Sequence, residues 1–141
     1  MHKQGYSFSG LLILTSLLAL GCSQGDMPEI GHVSGTVTLD GKPMEGVQVM
    51  FEPVDGARSA TAMTDAEGKY VLKYNGNTEG TKTGENLVRL ISARGATRDD
   101  RGRVTDPGKK EAFPPEYNSA STQKVTVEGG ENTFDFNVTS K

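Results

Sequence analysis

The stretch Ala60-Thr-Ala-Met-Thr-Asp-Ala-Glu-Gly-Lys-Tyr-Val-Leu-Lys-Tyr74 does most to decide the fold class. Asp65 suits the first position of a type I turn, and Gly68 suits the fourth. After this turn, apolar and polar side chains alternate from Tyr70 to Tyr74, which is the period of a half-buried strand. The stretch therefore predicts strand, tight turn and strand, which together make a β-hairpin.

The same alternation recurs on both sides of this stretch. Residues 33–39 and 47–51 each place apolar side chains on one face, and Asp40-Gly41 between them is a strong turn signal. Residues 86–94 differ, because they carry apolar side chains on both faces. A strand of that kind is either central in its sheet or covered on its outer face by another segment.

The C-terminal part predicts a closing hairpin, in which residues 124–127 pair with residues 133–138. Taken together, the segments predict an all-β fold, an antiparallel β-sandwich of about seven strands that is transthyretin-like or immunoglobulin-like. The predicted core consists of Val37, Leu39, Val47, Val49, Phe51, Tyr70, Leu72, Val88, Leu90, Val125, Val127, Phe134 and Phe136.

Three segments together resemble the carboxypeptidase regulatory-like domain, a transthyretin-like β-sandwich. They are Val33-Ser-Gly-Thr-Val-Thr-Leu-Asp-Gly-Lys-Pro-Met-Glu-Gly-Val-Gln-Val49, Thr64-Asp-Ala-Glu-Gly-Lys-Tyr70 and residues 84–94. The short chain and the segment Phe113-Pro-Pro-Glu-Tyr-Asn118 resemble small bacterial lipoproteins built on that domain. The resemblance covers about residues 33–138. It implies a non-catalytic accessory module and brings no active-site residues with it.

The N-terminus has the pattern of an exported lipoprotein. His2 and Lys3 give a short basic start, and residues 11–20 form an apolar run of signal-peptide length that is too short to span a bilayer as a helix. Gly21 and Cys22 follow, and Cys22 is the only cysteine in the chain. This boundary resembles a lipobox, which implies cleavage before Cys22 and acylation of that cysteine, including palmitate.

These features divide the chain into three parts. We predict a lipoprotein signal peptide at residues 1–21, a polar tether at residues 22–32 and the sandwich domain at residues 33–139. The mature protein is then anchored to the cell envelope through its lipid. Ser23 follows the cysteine, and in the resembling lipoproteins of didermal bacteria this residue fits the outer membrane.

Composition narrows the classes of partner. The chain has a formal net charge of -3 and no basic stripe, so we expect no nucleic-acid partner. His32 is the only histidine after the predicted cleavage site, and we interpret it as a surface residue because no second histidine or cysteine accompanies it. We therefore expect no metal site and no cofactor.

The segment from Gly95 to Thr122 is the longest irregular part of the chain, and long loops on rigid scaffolds commonly carry function. It begins with a charged stretch and ends in the aromatic, proline-rich segment at residues 113–117. One hypothesis is that the loop from Gly95 to Tyr117 contacts an envelope protein or polysaccharide. The alternative is that residues 113–117 only cover a sheet face. The predicted contact residues are Arg98, Arg101, Arg103, Phe113 and Tyr117.

Other activities find less support in the sequence. Asp99, Asp100 and Asp106 suggest a calcium site, but interleaved arginines oppose a cation, so we expect a solvated loop of mixed charge. For carbohydrate binding, Tyr117 is the one exposed aromatic candidate. The hydrolase known on transthyretin-like folds needs histidines that this chain lacks. We therefore predict a non-catalytic binding or structural module, with a carbohydrate-binding accessory domain as the alternative and a transthyretin-like hydrolase as a remote one.

Overall fold

The computed structural model describes residues 27–140, which form an all-β sandwich. Its elements are β1 (Ile30–Leu39), β2 (Lys42–Pro43), β3 (Gln48–Pro53), β4 (Ala60–Met63), β5 (Lys69–Val71), β6 (Thr81–Lys82), β7 (Gly84–Ile91), β8 (Thr97–Arg98), β9 (Val104–Asp106), a 3-10 turn (Pro115–Tyr117), β10 (Lys124–Val127), β11 (Gly130–Thr133) and β12 (Phe136–Val138). The predicted fold class is confirmed. The signal peptide and Cys22 lie outside the described residues.

The first sheet is built around β1, which begins at Ile30, before the predicted strand start at Val33. On one side β1 pairs antiparallel with β2, β5 and β6. On its other side it pairs in parallel with β11 and β12. The second sheet has the order β10-β7-β3-β4 and is antiparallel throughout. A small two-stranded sheet joins β8 to β9.

The core lies between the two large sheets. Ten of the predicted core residues are buried, whereas Leu39, Val125 and Phe134 are half-buried and pack against the core from its rim. Phe51 of the second sheet meets Phe134 and Phe136 of the first, with ring centroids 5.9 Å and 6.3 Å apart. The buried apolar residues that the predicted core omitted are Val33, Ala60, Phe113 and Val138.

The turn in the deciding stretch is confirmed, but the hairpin is largely wrong. The N–H of Gly68 donates to the carbonyl of Asp65 at 2.9 Å, and Gly68 has a φ of 73°, which favours glycine. However, β4 pairs with β3 in the second sheet and β5 pairs with β1 in the first. Only a single bridge, between Thr61 and Lys73, links the two arms directly. The turn therefore carries the chain from one sheet to the other.

The predicted closing hairpin is also wrong. β10 pairs with β7, whereas β11 and β12 pair with β1 in the opposite sheet. The physical reason is the same in both places. Period-two alternation specifies which face of a strand is buried, but either sheet of a sandwich offers that burial. The connection through Glu128 and Gly129 has only two residues, both exposed, yet it leads from the second sheet to the first instead of folding back.

The parallel pairing of β1 is interrupted at one point, between β11 and β12. There the carbonyl of Phe134 turns toward Gly35, and a Cβ atom on Gly35 would lie 1.8 Å from that oxygen. The Tyr70 hydroxyl donates to the same oxygen at 2.6 Å, and a carboxylate oxygen of Asp135 accepts the N–H of Thr36 at 2.8 Å. Burial raises the pKa of Tyr70, so this hydroxyl remains a donor. The interruption therefore leaves these ladder groups paired.

Candidate functional site

The long segment that the sequence singled out is two structures rather than one loop. Residues 94–109 form a hairpin that we call the arm hairpin, closed at its base by a bridge between Arg94 and Lys109. Their two backbone hydrogen bonds measure 2.9 Å and 2.8 Å. Residues 111–118, which we call the cap, pack back against the second sheet. The predicted contact residues are divided between these two segments.

The arm hairpin is held together by its own residues. Asp99 begins its turn: its carbonyl accepts the N–H of Gly102 at 2.9 Å. One carboxylate oxygen of Asp99 accepts the N–H groups of Arg101 and Arg103, both at 2.9 Å. The hydroxyls of Thr97 and Thr105 meet across the strands at 3.1 Å. Asp99 therefore begins this turn as Asp65 begins the turn at residues 65–68: in both, the aspartate carbonyl accepts the N–H of the glycine three residues later.

Charge on the arm hairpin is only partly compensated. Arg103 pairs with Asp99 at 2.8 Å, and Arg94 pairs with Asp106 at 2.5 Å. The guanidinium of Arg98 donates to the carbonyl of Gly102 at 3.1 Å. Within residues 27–140, Arg101 has no ion-pair partner. The three predicted contact arginines are all exposed, so the structure brings them together on one projecting element.

Two aspartates of the arm hairpin, Asp99 and Asp106, are occupied by these contacts. The backbone N–H of Arg103 does most to hold the pKa of Asp99 below its usual range; burial opposes it, and the side chain of Arg103 and the N–H of Arg101 lower the pKa further. The N–H of Gly108 does most to lower the pKa of Asp106, with Arg94 assisting. Among the residues the structure describes, no group of three or more acidic, histidine or cysteine side chains is arranged to hold a metal ion.

The cap is organised around the carboxylate of Glu111. One oxygen accepts the Ser92 hydroxyl at 2.6 Å and the N–H groups of Ala112 and Phe113 at 3.0 Å. The other accepts the side-chain amide of Asn118. Burial raises the pKa of Glu111, but the hydrogen bonds from Ser92 and Phe113 outweigh it, so the pKa lies below its usual range. This carboxylate fastens the cap to the end of β7.

The two predicted aromatic contact residues lie in the cap, facing inward. Phe113 is only 4% exposed and belongs to the core. Tyr117 is half-buried and packs against the same core. The cap is also held by Arg89, whose guanidinium donates to the carbonyl of Asn118 at 2.5 Å and pairs with Glu52 at 3.1 Å. In this conformation Phe113 and Tyr117 cover the sheet. Of the predicted contact residues, the three arginines are the exposed ones.

This placement explains the apolar outer face of β7. The strand is central in its sheet, and its outer face is also covered by the cap. Both explanations for a strand that is apolar on both faces therefore apply to β7. Where the cap meets the sheet, an open groove of about 450 Å³ remains. It is lined by Ile91, Ala93, Glu111, Phe113, Pro115, Asn118 and Ser119.

A second open groove of about 450 Å³ lies beside β4 and was not predicted. Tyr74 is half-buried and lines this groove with Met63, Gln48 and Asn75. Met63 is 61% exposed. The side chain of Asn75 is occupied, since it accepts the N–H groups of Asn77 and Thr78. The groove therefore offers an aromatic ring, a thioether and an amide to solvent.

Sequence reasoning also missed a cluster around His32, which it treated as an isolated surface residue. The imidazole lies between Glu79 and Glu131, with a nitrogen 2.9 Å from a carboxylate oxygen on each side. Glu131 reaches His32 because β11 pairs in parallel with β1, and Glu79 precedes β6 on the other side of the same strand. Nothing in the sequence marks these three residues as neighbours, because the pairing partners of β1 were not predictable.

The similarities of this chain to known proteins are to solved structures. No family model matches the chain, and no curated protein matches it. Among solved structures, it is similar to a DUF3823 family protein from Parabacteroides merdae, with 14% identity and a TM-score of 0.43. That match covers 82% of this chain and 48% of the other. A 9R-lipoxygenase from Cyanothece PCC8801 is similar over 79% of this chain and 16% of its own, with 17% identity and a TM-score of 0.40. This chain thus spans about half of the first neighbour.

The described residues include no helix long and apolar enough to cross a membrane.

Proposed function

We propose that this protein is a non-catalytic binding or structural module, anchored to the cell envelope by lipid on Cys22, that presents the arm hairpin to a partner. The division into a signal peptide, a tether and a carboxypeptidase regulatory-like domain belongs to the same proposal. The turn at Asp65–Gly68, one of the segments that carry the family resemblance, supports it with its observed geometry.

The observation that carries the proposal is the position of the arm hairpin. The chain enters the sandwich at Ile30, and the carbonyl of Glu29 accepts the N–H of Thr83 at 2.9 Å, so β7 starts beside the entry point. β7 then runs for 8 residues, which is about 25 Å of strand, before the arm hairpin begins. The base of the arm hairpin lines a groove with Glu45 and Gly46, which follow the far end of β1.

The arm hairpin therefore projects from the end of the sandwich opposite to the chain entry. For a protein tethered through residues that precede Ile30, this end faces away from the anchoring membrane. An exposed hairpin with an uncompensated arginine at that end is accessible to another envelope component. Rigid attachment supports a recognition role, because the base is fixed by two backbone hydrogen bonds and the sheet below is covered by the cap.

Mass spectrometry of the mature N-terminus tests the anchor. We expect a chain that begins at Cys22 and carries acyl chains on the thiol and on the amine. Two or more chains give stable anchoring, whereas one chain alone is marginal. A free thiol at Cys22, or a chain that retains Met1, would refute the lipid anchor without bearing on the arm hairpin.

The arm hairpin is tested by replacing residues 95–108 with an Asn-Gly turn. Arg94 and Lys109 are already hydrogen-bonded neighbours, so a two-residue turn joins them without strain. The excised residues contain three arginines and three aspartates, so the net charge is unchanged. We expect envelope partners to be lost from pull-downs while the melting temperature is retained. Unchanged pull-downs would show that the arm hairpin is passive.

A side-chain variant sharpens the same test. Arg98→Ala combined with Arg101→Ala leaves the Arg103–Asp99 pair and the hairpin backbone in place. Lys42→Ala combined with Arg58→Ala is the matched control, because it removes two exposed cations outside the arm hairpin. Recognition through the arm predicts loss of partners in the first variant only.

The alternative, a carbohydrate-binding accessory domain, rests on the groove beside β4. Sugar sites commonly combine an aromatic face with amide and hydroxyl groups, and Tyr74 with Gln48 supplies that combination here. Tyr117 is less suited to this role, because it packs against the core. Binding of envelope glycans that is lost in Tyr74→Ala, but kept in the arm-hairpin replacement, would favour this alternative over the first proposal.

A further inference from the structure

The cluster at His32 has a chemistry that neither proposed function uses. His32 lies on β1 near the chain entry, and its side chain is 33% exposed. Its Nε2 atom lies 2.9 Å from Oε2 of Glu79 in hydrogen-bond geometry. Its Nδ1 atom is buried and lies 2.9 Å from Oε2 of Glu131, without the alignment of a hydrogen bond. One ring thus faces two carboxylates that belong to different elements.

A neutral imidazole has one N–H and one acceptor nitrogen, whereas an imidazolium has two N–H groups. Only the charged ring can donate to Glu79 and at the same time turn an N–H and a positive charge, instead of a lone pair, toward Glu131. After loss of the proton, one carboxylate faces a nitrogen lone pair, and the two negative charges have no cation between them. We propose that His32, Glu79 and Glu131 form a pH-sensitive clasp that holds the elements on both sides of β1 together at the chain-entry end.

The charges around the ring agree with this assignment. The hydrogen bond to Glu79 raises the pKa of His32 most, burial opposes it, and the negative charge of Glu131 raises the pKa further. The same hydrogen bond does most to lower the pKa of Glu79. The positive charge of Lys73 lowers this pKa further. Lys82, the cation on β6, is paired with Asp55 instead. Within the described residues, Lys73 is therefore the cation that acts on Glu79 in addition to His32.

The direction of the pH dependence follows from these shifts. A histidine whose pKa is raised in the folded state contributes stability below its unfolded pKa of about 6.5 and loses it as pH rises through the folded value. A glutamate whose pKa is lowered contributes stability above its unfolded value and loses it as pH falls through the folded one. The clasp is therefore closed in mildly acidic solution and weakens on both sides of that range.

The elements that would loosen first are the turn that carries Glu79 and the strand β11. The turn is held to the sheet by the N–H of Gly80, which donates to the carbonyl of Leu72 at 2.7 Å. The amide of Gly80 is thus a local reporter, and the amide of Val88, bonded to the carbonyl of Gln123 at 2.7 Å in the second sheet, is a reporter of global unfolding. The opening equilibrium should change about tenfold for each unit by which folding raises the pKa of His32.

The test is an NMR titration of the full-length protein in detergent micelles, following the imidazole C–H signals, with His32→Gln to assign them. We expect the pKa of His32 to lie above 6.5, and Glu79→Gln and Glu131→Gln each to lower it. Glu128→Gln is the matched control, an exposed glutamate at the same end of the molecule that does not contact His32.

Amide exchange completes the test. Corrected for its intrinsic pH dependence, exchange at Gly80 should accelerate as pH rises through the pKa of His32. It should stay faster than exchange at Val88, which accelerates by no more than the same factor because global unfolding also breaks the clasp. His32→Gln should remove this step. A pKa at or below 6.5, equal effects of Glu128→Gln and Glu79→Gln, or a Gly80 amide that is indifferent to the titration would each overturn the clasp. The proposed function in envelope binding is unaffected by either result, because it rests on the arm hairpin.

Discussion

The arm hairpin and the cap are neighbours in the chain, but they are held in opposite ways. The arm hairpin satisfies its polar groups within itself, through Asp99, Asp106 and the bridge at its base. The cap satisfies its polar groups on the sheet, through Glu111 and Arg89, and inserts Phe113 into the core. One segment is therefore structurally expendable, and the other is part of the fold.

This difference separates two roles that a long loop can have. A segment whose contacts are local can be altered without loss of the domain, so it is free to acquire a binding function. A segment whose contacts are tertiary carries stability, and its side chains are not available to a partner. The predicted contact residues fall on both sides of this division, and changes within each segment measure where it lies.

The largest effect is expected for Phe113→Ala in the cap. Truncating a buried phenylalanine removes apolar burial and leaves a cavity, which costs about 3–5 kcal/mol. Chemical denaturation should show a correspondingly lower midpoint with little change in slope. Val104→Ala, in an arm side chain that is 49% exposed, is the control and should change the free energy of unfolding by less than about 0.5 kcal/mol. Equal effects would mean that the cap is no better integrated than the arm.

A smaller effect is expected for Glu111→Gln. The amide keeps one acceptor but loses the charge and the second acceptor, so some of the N–H groups now bound by the carboxylate lose their partner. Because Glu111 is partly exposed to water, we expect the free energy of unfolding to fall by about 1–2 kcal/mol, which is less than the loss for a fully buried group. Urea melts at neutral pH measure it, and Glu45→Gln on the neighbouring turn is the matched control.

The same substitution has a pH signature. The folded-state pKa of Glu111 is lowered, so its contribution is present above the unfolded value and is lost as pH falls through the folded one. Glu111→Gln should therefore destabilise the protein at pH 7 and converge with the wild type in strong acid. A constant difference across the acid range would show that packing, and not the charge, is responsible.

The sequence predicted which side chains of a strand are buried better than it predicted which strands pair with each other. Alternation placed Val49, Phe51, Val88 and Leu90 correctly, because burial of one face is a local property of a strand. Alternation did not predict the pairing partner where a strand can bury the same face in either sheet, as β10 and β11 can. The cluster at His32 was out of reach for the same reason, since Glu131 arrives through a parallel pairing that spans most of the chain.

The candidate site was predictable to a similar degree. Loop length and composition marked this segment as irregular, but its division into arm hairpin and cap depends on tertiary contacts. Asp99 followed by Gly102 has the same spacing as Asp65 and Gly68, so the turn of the arm hairpin was visible in the sequence. The role of Glu111 was not, because its partners include Ser92, which precedes the arm hairpin, and Asn118, which follows the cap's 3-10 turn.

Replacing residues 95–108 with Asn-Gly should have a still smaller effect on stability. The excised hairpin contributes no residue to the core, and shortening a loop reduces the entropy cost of closing it. We expect the free energy of unfolding to change by less than about 1 kcal/mol, in either direction. Differential scanning calorimetry should show one transition near the wild-type temperature. A loss as large as that of Phe113→Ala would place the arm hairpin within the folding unit and contradict the comparison.

The smallest effect is expected for Arg103→Ala. Its ion pair with Asp99 joins side chains that are 71% and 26% exposed, and exposed pairs of this kind contribute little to stability because water and salt screen them. The melting temperature should be unchanged within error at low and at high salt. Asp99→Ala sharpens the test, because it also removes the acceptor for two backbone N–H groups in the turn. Amide exchange should then accelerate at Gly102 while global stability stays near that of the wild type. If either substitution lowered the melting temperature as much as Glu111→Gln does, the local contacts of the arm hairpin would be coupled to the sandwich, and its freedom to serve as a separate recognition element would be lost.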